Sequence, residues 1–164
     1  ISIKLAPLGV TLKKEDADII IDAWLNKAFP KAGAYLQRNA NYAVTRGYVE
    51  STLGRKRFWN LEELKADKWR YLAAMREGSN APIQGTSADM TKKAEYYIFN
   101  RLDKRKARII ITVHDELVIE SSLAYADTAS QIMKEGMELA ARDMLPRLGH
   151  TVEVKVSRSN CYDK

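Results

Sequence analysis

Between Arg108 and Glu120 the sequence reads R-I-I-I-T-V-H-D-E-L-V-I-E. His114, Asp115 and Glu116 stand together between two apolar runs, Ile109-Ile110-Ile111 with Val113 on one side and Leu117-Val118-Ile119 on the other. Adjacent carboxylates at the end of a rigid strand are hard oxygen ligands. They suit Mg²⁺, which keeps several waters and completes its shell with substrate phosphates. A histidine beside an aspartate also fits a nuclease base or a metal phosphohydrolase, but those need further His ligands and only His150 remains. The elements that must position these groups are two short β-strands. Apolar, β-branched runs around a tight polar break predict a hairpin buried on both faces. Hairpin tips favour Asn-Gly or Asp-Gly, and neither is present. A local rule broken where polar groups cluster marks a candidate functional site. The plainer reading of Asp115 is a turn residue bonding its own backbone.

A second stretch, Asn80-Ala81-Pro82-Ile83-Gln84-Gly85-Thr86-Ser87-Ala88-Asp89, has the form N-x-P-x-Q-G-T-x-A-D. With V-H-D-E between two apolar strands downstream, it resembles the family A DNA polymerases, the polymerase I group. The resemblance covers essentially the whole chain and is most specific from Arg76 to Glu120. It implies template-directed nucleotidyl transfer to a primer 3′ end with Mg²⁺. Asp115 would be the metal ligand, Glu116 would sit just behind it or near the primer end, and His114 would contact the primer terminus. It also implies that Arg76, Asn80 and Gln84 reach the minor groove of newly formed base pairs, where purine N3 and pyrimidine O2 acceptors occur in every correct pair. Their spacing of four suits one helical face, with Pro82 interrupting before Gln84. The plainer reading is an arginine and two amides capping or bridging helix ends.

Gly54-Arg55-Lys56-Arg57 matches a G-R-x-R segment that lies beside the template in the family, so Arg55 and Arg57 are further DNA-binding candidates. Basic residues interleaved with Phe58 and Trp59 suit backbone tracking and base stacking. The alternative is a strand edge guarded by charge. The partners implied are primer-template DNA, deoxynucleoside triphosphates and the remaining polymerase segment. That segment is needed because two family motifs have no counterpart here: the D-Y-S-x-x-E type motif with the second catalytic aspartate, and the R-x-x-x-K-x-x-x-F-G-x-x-Y-G helix that grips the nucleotide. The two-metal site would then be completed by residues outside this chain, and the isolated chain is expected to be inactive. Opening on Ile1 rather than Met suggests a split gene or a processed or excised piece. Asn160-Cys161-Tyr162-Asp163 stands where many family members have Asn-Trp-Asp. Two other classes stay open: a non-catalytic primer-template binding module, and a remnant that keeps the fold without either activity.

The 164 residues are 46% apolar and 29% charged, with a net charge of +6, which fits one globular domain with an anionic partner. Basic clusters fall at Arg55-Lys56-Arg57 and Lys104-Arg105-Lys106. Cys161 is the single cysteine, so an internal disulfide framework is excluded. No apolar run approaches the ~18 residues of a membrane span, and no signal peptide is visible. The expected location is cytoplasmic, in the host cytoplasm for a phage-encoded chain, with an organelle also open.

The pattern along the chain is helical from a Thr11 N-cap to Pro30, with Ala17, Ile20, Ile21, Trp24 and Ala28 on one face. A second helix is expected from about Lys31 to Arg46, stopped by Gly47. A small hairpin, Tyr48 to Trp59, turns near Leu53-Gly54, and a polar, mobile stretch follows from Asn60 to Lys68. A helix from Asp67 to Gly78 should break over Ser79 to Gly85. A long helix should restart with Thr86 and Asp89 in a capping-box pattern, its buried stripe being Ala88, Thr91, Ala94, Ile98 and Leu102. A helix over Ala124 to Arg147 and a strand over Thr151 to Val156 complete the chain. The fold class is α+β: a small antiparallel sheet with a central buried hairpin, covered by several helices. The resemblance implies a fingers-like helical part over about 1–80 and the C-terminal half of the palm over about 81–164.

Overall fold

The computed structural model describes residues 13–147 and 153–160. The expected Thr11 cap, the start of the final strand and Cys161 to Asp163 lie outside them. The described chain is α+β, with helices dominant and two separate two-stranded antiparallel sheets. It divides into two units, Ile1–Val49 with Lys56–Ala81, and Glu50–Arg55 with Pro82–Lys164.

In the first unit, α1 (Lys14–Asp22) widens into a π-helical turn at Ala23–Ala28. Of the expected apolar face only Ala17 is buried, while Ile20 and Trp24 are half exposed. Helix α2 (Pro30–Thr45) starts with proline at its first position, where a missing N–H is harmless. It ends before Gly47, whose φ of +76° suits glycine. Strands β1 (Tyr48–Glu50) and β2 (Lys56–Phe58) form the expected hairpin, with Gly54 at φ +81° in its turn. The polar stretch after it is ordered. Asn60 caps α3 (Leu61–Ala66) by accepting the Glu62 amide, and Leu64 is buried. Sequence reasoning passed over this helix because six residues show less than two turns of periodicity.

Helix α4 runs unbroken from Lys68 to Arg101 with Pro82 inside it, so the predicted break over Ser79 to Gly85 does not occur. Asp67 caps its start, its carboxylate accepting the amides of Trp69 at 2.8 Å and Arg70 at 3.3 Å. Proline at position 82 removes one helical hydrogen bond and crowds the carbonyl of residue 78. That residue is Gly78, placed so tightly against α2 that a Cβ there would lie 2.4 Å from the Ala43 Cβ. Pro82 itself is fully buried, so packing offsets the local penalty. Thr86 therefore does not start a helix. Its hydroxyl donates to the Pro82 carbonyl at 2.7 Å.

The second unit is built on the latter part of α4, the hairpin of β3 (Ala107–Val113) and β4 (Glu116–Ser121), and α5 (Ala126–Met144). Its core joins Ala94, Ile98 and Leu102 of α4 to Ala107, Leu117, Ala129, Ile132 and Ala140. Gly136 lets α5 approach closely, since a Cβ there would sit 2.5 Å from the Ile98 side chain. The hairpin is not buried on both faces. Along β3, residues alternate between covered and exposed, and Ile110 is 48% exposed. The register slips between Ile109 and Ile111, a bulge that leaves Ile110 without a partner on β4. Residues 153–159 form no strand, contrary to the pattern read over Thr151 to Val156. No helix among the described residues is long and apolar enough to cross a membrane.

Polar ties reinforce the α4–α5 contact. Tyr97 donates its hydroxyl to Asp143, and the Lys93 ammonium lies 3.1 Å from the same carboxylate. The Tyr97 hydrogen bond, aided by Lys93, holds the Asp143 carboxyl below its usual range. Arg101, with Gln131, does the same for Glu135, and the Arg105 amide does so for Asp103. A carboxyl with a depressed folded pKa adds stability above its unfolded value of ~3.9–4.3, and that stability fades as pH falls through the folded value. The same contact raises Tyr97 and Lys93, so their contribution is lost only as alkaline pH passes their raised values. The melting temperature should therefore fall from neutral pH into the acid range, and Asp143→Asn should flatten that slope. Parallel slopes for the two proteins in thermal melts would contradict the assignment.

Candidate functional site

Val113 pairs with Glu116, leaving His114 and Asp115 as a two-residue loop. His114 has φ +55°, and among the described residues it is the only non-glycine with positive φ. That is the first position of a two-residue turn, where type II′ hairpins place glycine. A bulky residue there stores strain of ~1–3 kcal/mol. The His114 carbonyl is held from α4, with the Thr91 hydroxyl 3.2 Å away. Thr112, on the strand leading into the tip, donates its hydroxyl to Glu95 of α4.

The side chains of His114, Asp115 and Glu116 are all exposed. The Asp115 carboxylate has no hydrogen bond or ion pair among the described residues, so the plainer reading, a turn carboxylate bonded to its own backbone, does not apply. Asp115 and Glu116 bring hard oxygen donors to one tip, a donor type that fits Mg²⁺. No three His, Cys, Asp or Glu residues among those described gather as a metal-holding group.

Arg76, Asn80 and Gln84 all lie within α4 and all are exposed. Arg76 and Asn80, four apart on this helix, lie within about 40° of each other around its axis. Arg76 and Asn80 belong to the first unit and Gln84 to the second.

The two arginines of the G-R-x-R segment have different surroundings. Arg55 Nη2 lies 3.0 Å from Asp89 Oδ1 and donates to the Gly85 carbonyl at 2.8 Å. Asp89 is buried, and its other oxygen accepts the Ser51 hydroxyl at 2.5 Å. The Thr52 amide donates to Thr86 Oγ1 at 3.0 Å. A Cβ on Gly85 would come within 3.1 Å of Ser51 Cβ, a tight contact that glycine avoids. Arg57 lies in the first unit, where it pairs with Glu77 at 2.6 Å, and Trp59 donates to the same carboxylate at 3.2 Å. Both partners of that pair are about half exposed. The Lys104 to Lys106 cluster is partly neutralised by Asp103, 3.5 Å from both Arg105 and Lys106.

Sequence reasoning missed the roles of Ser51, Asp89 and Thr91. Asp89 and Thr86 read as a capping box, and Thr91 as one more member of a buried stripe. The available signal was a hydroxyl and a carboxylate on the apolar side of a helix, since buried polar groups need partners.

The chain belongs to DNA polymerase family A, whose model matches residues 4–162. It is 37% identical over 124 residues to the thermostable DNA polymerase I of Thermus aquaticus, a match covering 76% of this chain and 15% of that protein. With the DNA polymerase I of Chloroflexus aurantiacus it shares 34% identity over 128 residues, 77% of this chain and 13% of the relative. Among solved structures, the POL domain of Pol1 from M. smegmatis, in complex with DNA primer-template and dNTP, superposes with a TM-score of 0.68 at 30% identity. That likeness covers 83% of this chain and 24% of the other. The chain thus spans roughly a seventh of the length of the curated relatives it matches.

The unequal surroundings of the arginines have a measurable consequence. Arg55→Met would leave the buried Asp89 carboxylate with one partner fewer, at a cost of about 1–3 kcal/mol. Arg57→Met removes one of two exposed partners and should cost about 0–1 kcal/mol. Urea denaturation of both variants tests the difference, and equal losses would refute the structural role of the Arg55–Asp89 pair.

Proposed function

We propose that this chain is the C-terminal portion of a DNA-directed DNA polymerase, working with a segment that carries the second catalytic aspartate. The observation that carries the reading is the exposed Asp115 carboxylate on a strained two-residue tip, in a chain of this family. The first part of the chain, to about residue 80, serves as fingers and the rest as half of the palm. Its place of work is the cytoplasm. The M. smegmatis domain's complex with DNA primer-template and dNTP supports the same ligands here.

Asp115 would hold Mg²⁺, with Glu116 beside it and the two-metal site completed by residues outside this chain. A metal held there would supply neutralisation of charge on the phosphate oxygens and activation of the attacking 3′ oxygen. His114 meets the primer terminus. Arg76, Asn80 and Gln84 donate to minor-groove acceptors shared by all correct pairs, which tests pair geometry without reading sequence. Arg57 faces the template backbone. Arg55 combines that contact with its grip on Asp89, its side chain being 46% exposed despite the pairing.

Duplex binding by the isolated chain should be weak and should fall steeply with salt, because neutralising phosphates releases counterions. Arg76→Ala and Gln84→Ala should weaken binding equally across template sequences. Titrations at two salt concentrations on several sequences check this. Salt-insensitive binding, or a changed preference at one base, counts against the surface.

The catalytic reading is tested by primer extension with Mg²⁺ and all four deoxynucleotides. The chain alone should not extend. Mixed with a fragment carrying the missing aspartate and nucleotide-gripping helix, it should. Asp115→Asn in that mixture should abolish extension and leave DNA binding nearly intact, because the change removes charge and keeps shape. Misplacement alone at a reacting centre can cost ~10²-fold in rate. Extension by the chain alone, or by the Asn variant, would overturn the proposal. A mixture that binds primer-template and never extends it would favour the non-catalytic binding module.

A further inference from the structure

We infer that Thr91 is a positioning residue for the His114-Asp115 turn: its buried hydroxyl fixes the peptide plane from which the Asp115 carboxylate projects. The link to catalysis rests on the role proposed for Asp115, whereas the positioning itself does not.

Thr91 lies on the buried face of α4 and is only 7% exposed. A hydroxyl in that setting needs a partner. The usual outlet in a helix is the carbonyl four residues earlier, and Ser87 O lies 3.3 Å away. The His114 carbonyl lies at 3.2 Å, 23 residues further along the chain. One hydroxyl proton therefore serves two acceptors, one inside the helix and one in the hairpin tip.

The second acceptor is the oxygen of the peptide that joins His114 to Asp115. Holding it restricts the torsions on both sides of that peptide, so Thr91 acts on the direction of the carboxylate without touching it. The tip needs such a restraint. His114 sits at φ +55°, a conformation that a non-glycine residue keeps only when its surroundings over-determine it. Its side chain is exposed, so packing of the imidazole does not supply the constraint. The Val113–Glu116 pair closes the loop from below, and the hydroxyl of Thr91 anchors it from the helix side. The two observations, a buried hydroxyl on a turn carbonyl and positive φ at that same residue, are independent and point to one device.

The test uses the full chain as Thr91→Val, which keeps shape and removes the hydroxyl, and as Thr91→Ser, which keeps the hydroxyl. Thr91→Ala serves as a second hydroxyl-free variant should valine perturb folding. The first readout is the NMR cross-relaxation between the amide and α protons of His114, strong only at positive φ. The second is amide exchange at Glu116, with Ile98 as a core control. Thr91→Val should weaken the first signal and speed Glu116 exchange about five- to tenfold, as expected for loss of one hydrogen bond, with Ile98 unchanged. Thr91→Ser should behave as the parent chain. Unchanged signals in the hydroxyl-free variants, or a serine variant as defective as valine, would overturn the inference. A third readout, Mn²⁺ broadening of the Asp115 amide, should need several-fold more Mn²⁺ in Thr91→Val than in Thr91→Ser. If the parent chain shows no Mn²⁺ broadening, the metal role of Asp115 falls, while the first two readouts still decide the positioning.

Discussion

A carboxylate shut away from water must be paired or its site will not form, and in this chain that constraint falls on Asp89. Ser51 and Arg55 both come to it, and both lie in the short turn Glu50–Arg55 of the same unit. Gly85 makes room for Ser51, and Thr86 takes the Thr52 amide. Two residues beyond Asp89, Thr91 reaches the His114 carbonyl. Less than two turns of α4 thus hold a turn that presents Arg55 and a hairpin tip that presents carboxylates. Neither loop has an apolar core of its own, so each depends on polar contacts to a rigid helix.

The same stretch explains why one motif serves two ends. Asn80 and Gln84 are exposed, whereas Pro82 and Asp89 are buried and Gly85 and Thr86 partly so. Helical periodicity separates the two sets. Gly85, Thr86 and Asp89 are occupied with architecture, whereas the amides of Asn80 and Gln84 face solvent. A glycine, a threonine and an aspartate in such a motif therefore need no ligand contact to account for their presence. Gly85 sets how closely Ser51 approaches, and Asp89 decides where the guanidinium of Arg55 points.

What could be read in advance followed strength of pattern. The hairpin around His114-Asp115-Glu116, the α2 and α5 helices and the buried face of α4 from Thr91 to Leu102 carry long or sharply bounded apolar periodicities. Their counterparts in the fold differ by few residues. The misreadings share another cause. Pro82 read as a break because its local cost is visible in one dimension, while the packing that offsets it, Gly78 against Ala43, is not. The hairpin read as buried on both faces because three successive isoleucines hide a bulge, and nothing local tells which of them loses its partner. The exposed apolar face of α1 is the converse case. Its periodicity is real, but among the described residues nothing covers it. The chemistry-bearing residues were named from their types, whereas their supports, Thr91, Ser51 and Asp89, look ordinary until the fold brings them to partners.

The hairpin tip places adjacent carboxylates in solvent, where water screens their mutual repulsion. It also spends strain at His114 to fix a backbone that a glycine would leave mobile. Those two features pull against each other unless rigidity is worth more than the strain. For a purely structural turn it is not, since glycine at position 114 would relieve ~1–3 kcal/mol. With the metal role proposed for Asp115 it would be, because a ligand already in place avoids reorganisation when charge develops. A buried hydroxyl on the carbonyl of a residue with strained φ, followed by a carboxylate that has no partner among the described residues, is what such a trade leaves behind in a structure. The bulge at Ile110 fits the same account. It sits four residues before His114 on the strand that feeds the tip, so the register that brings Val113 opposite Glu116, and hence the two-residue loop itself, depends on it.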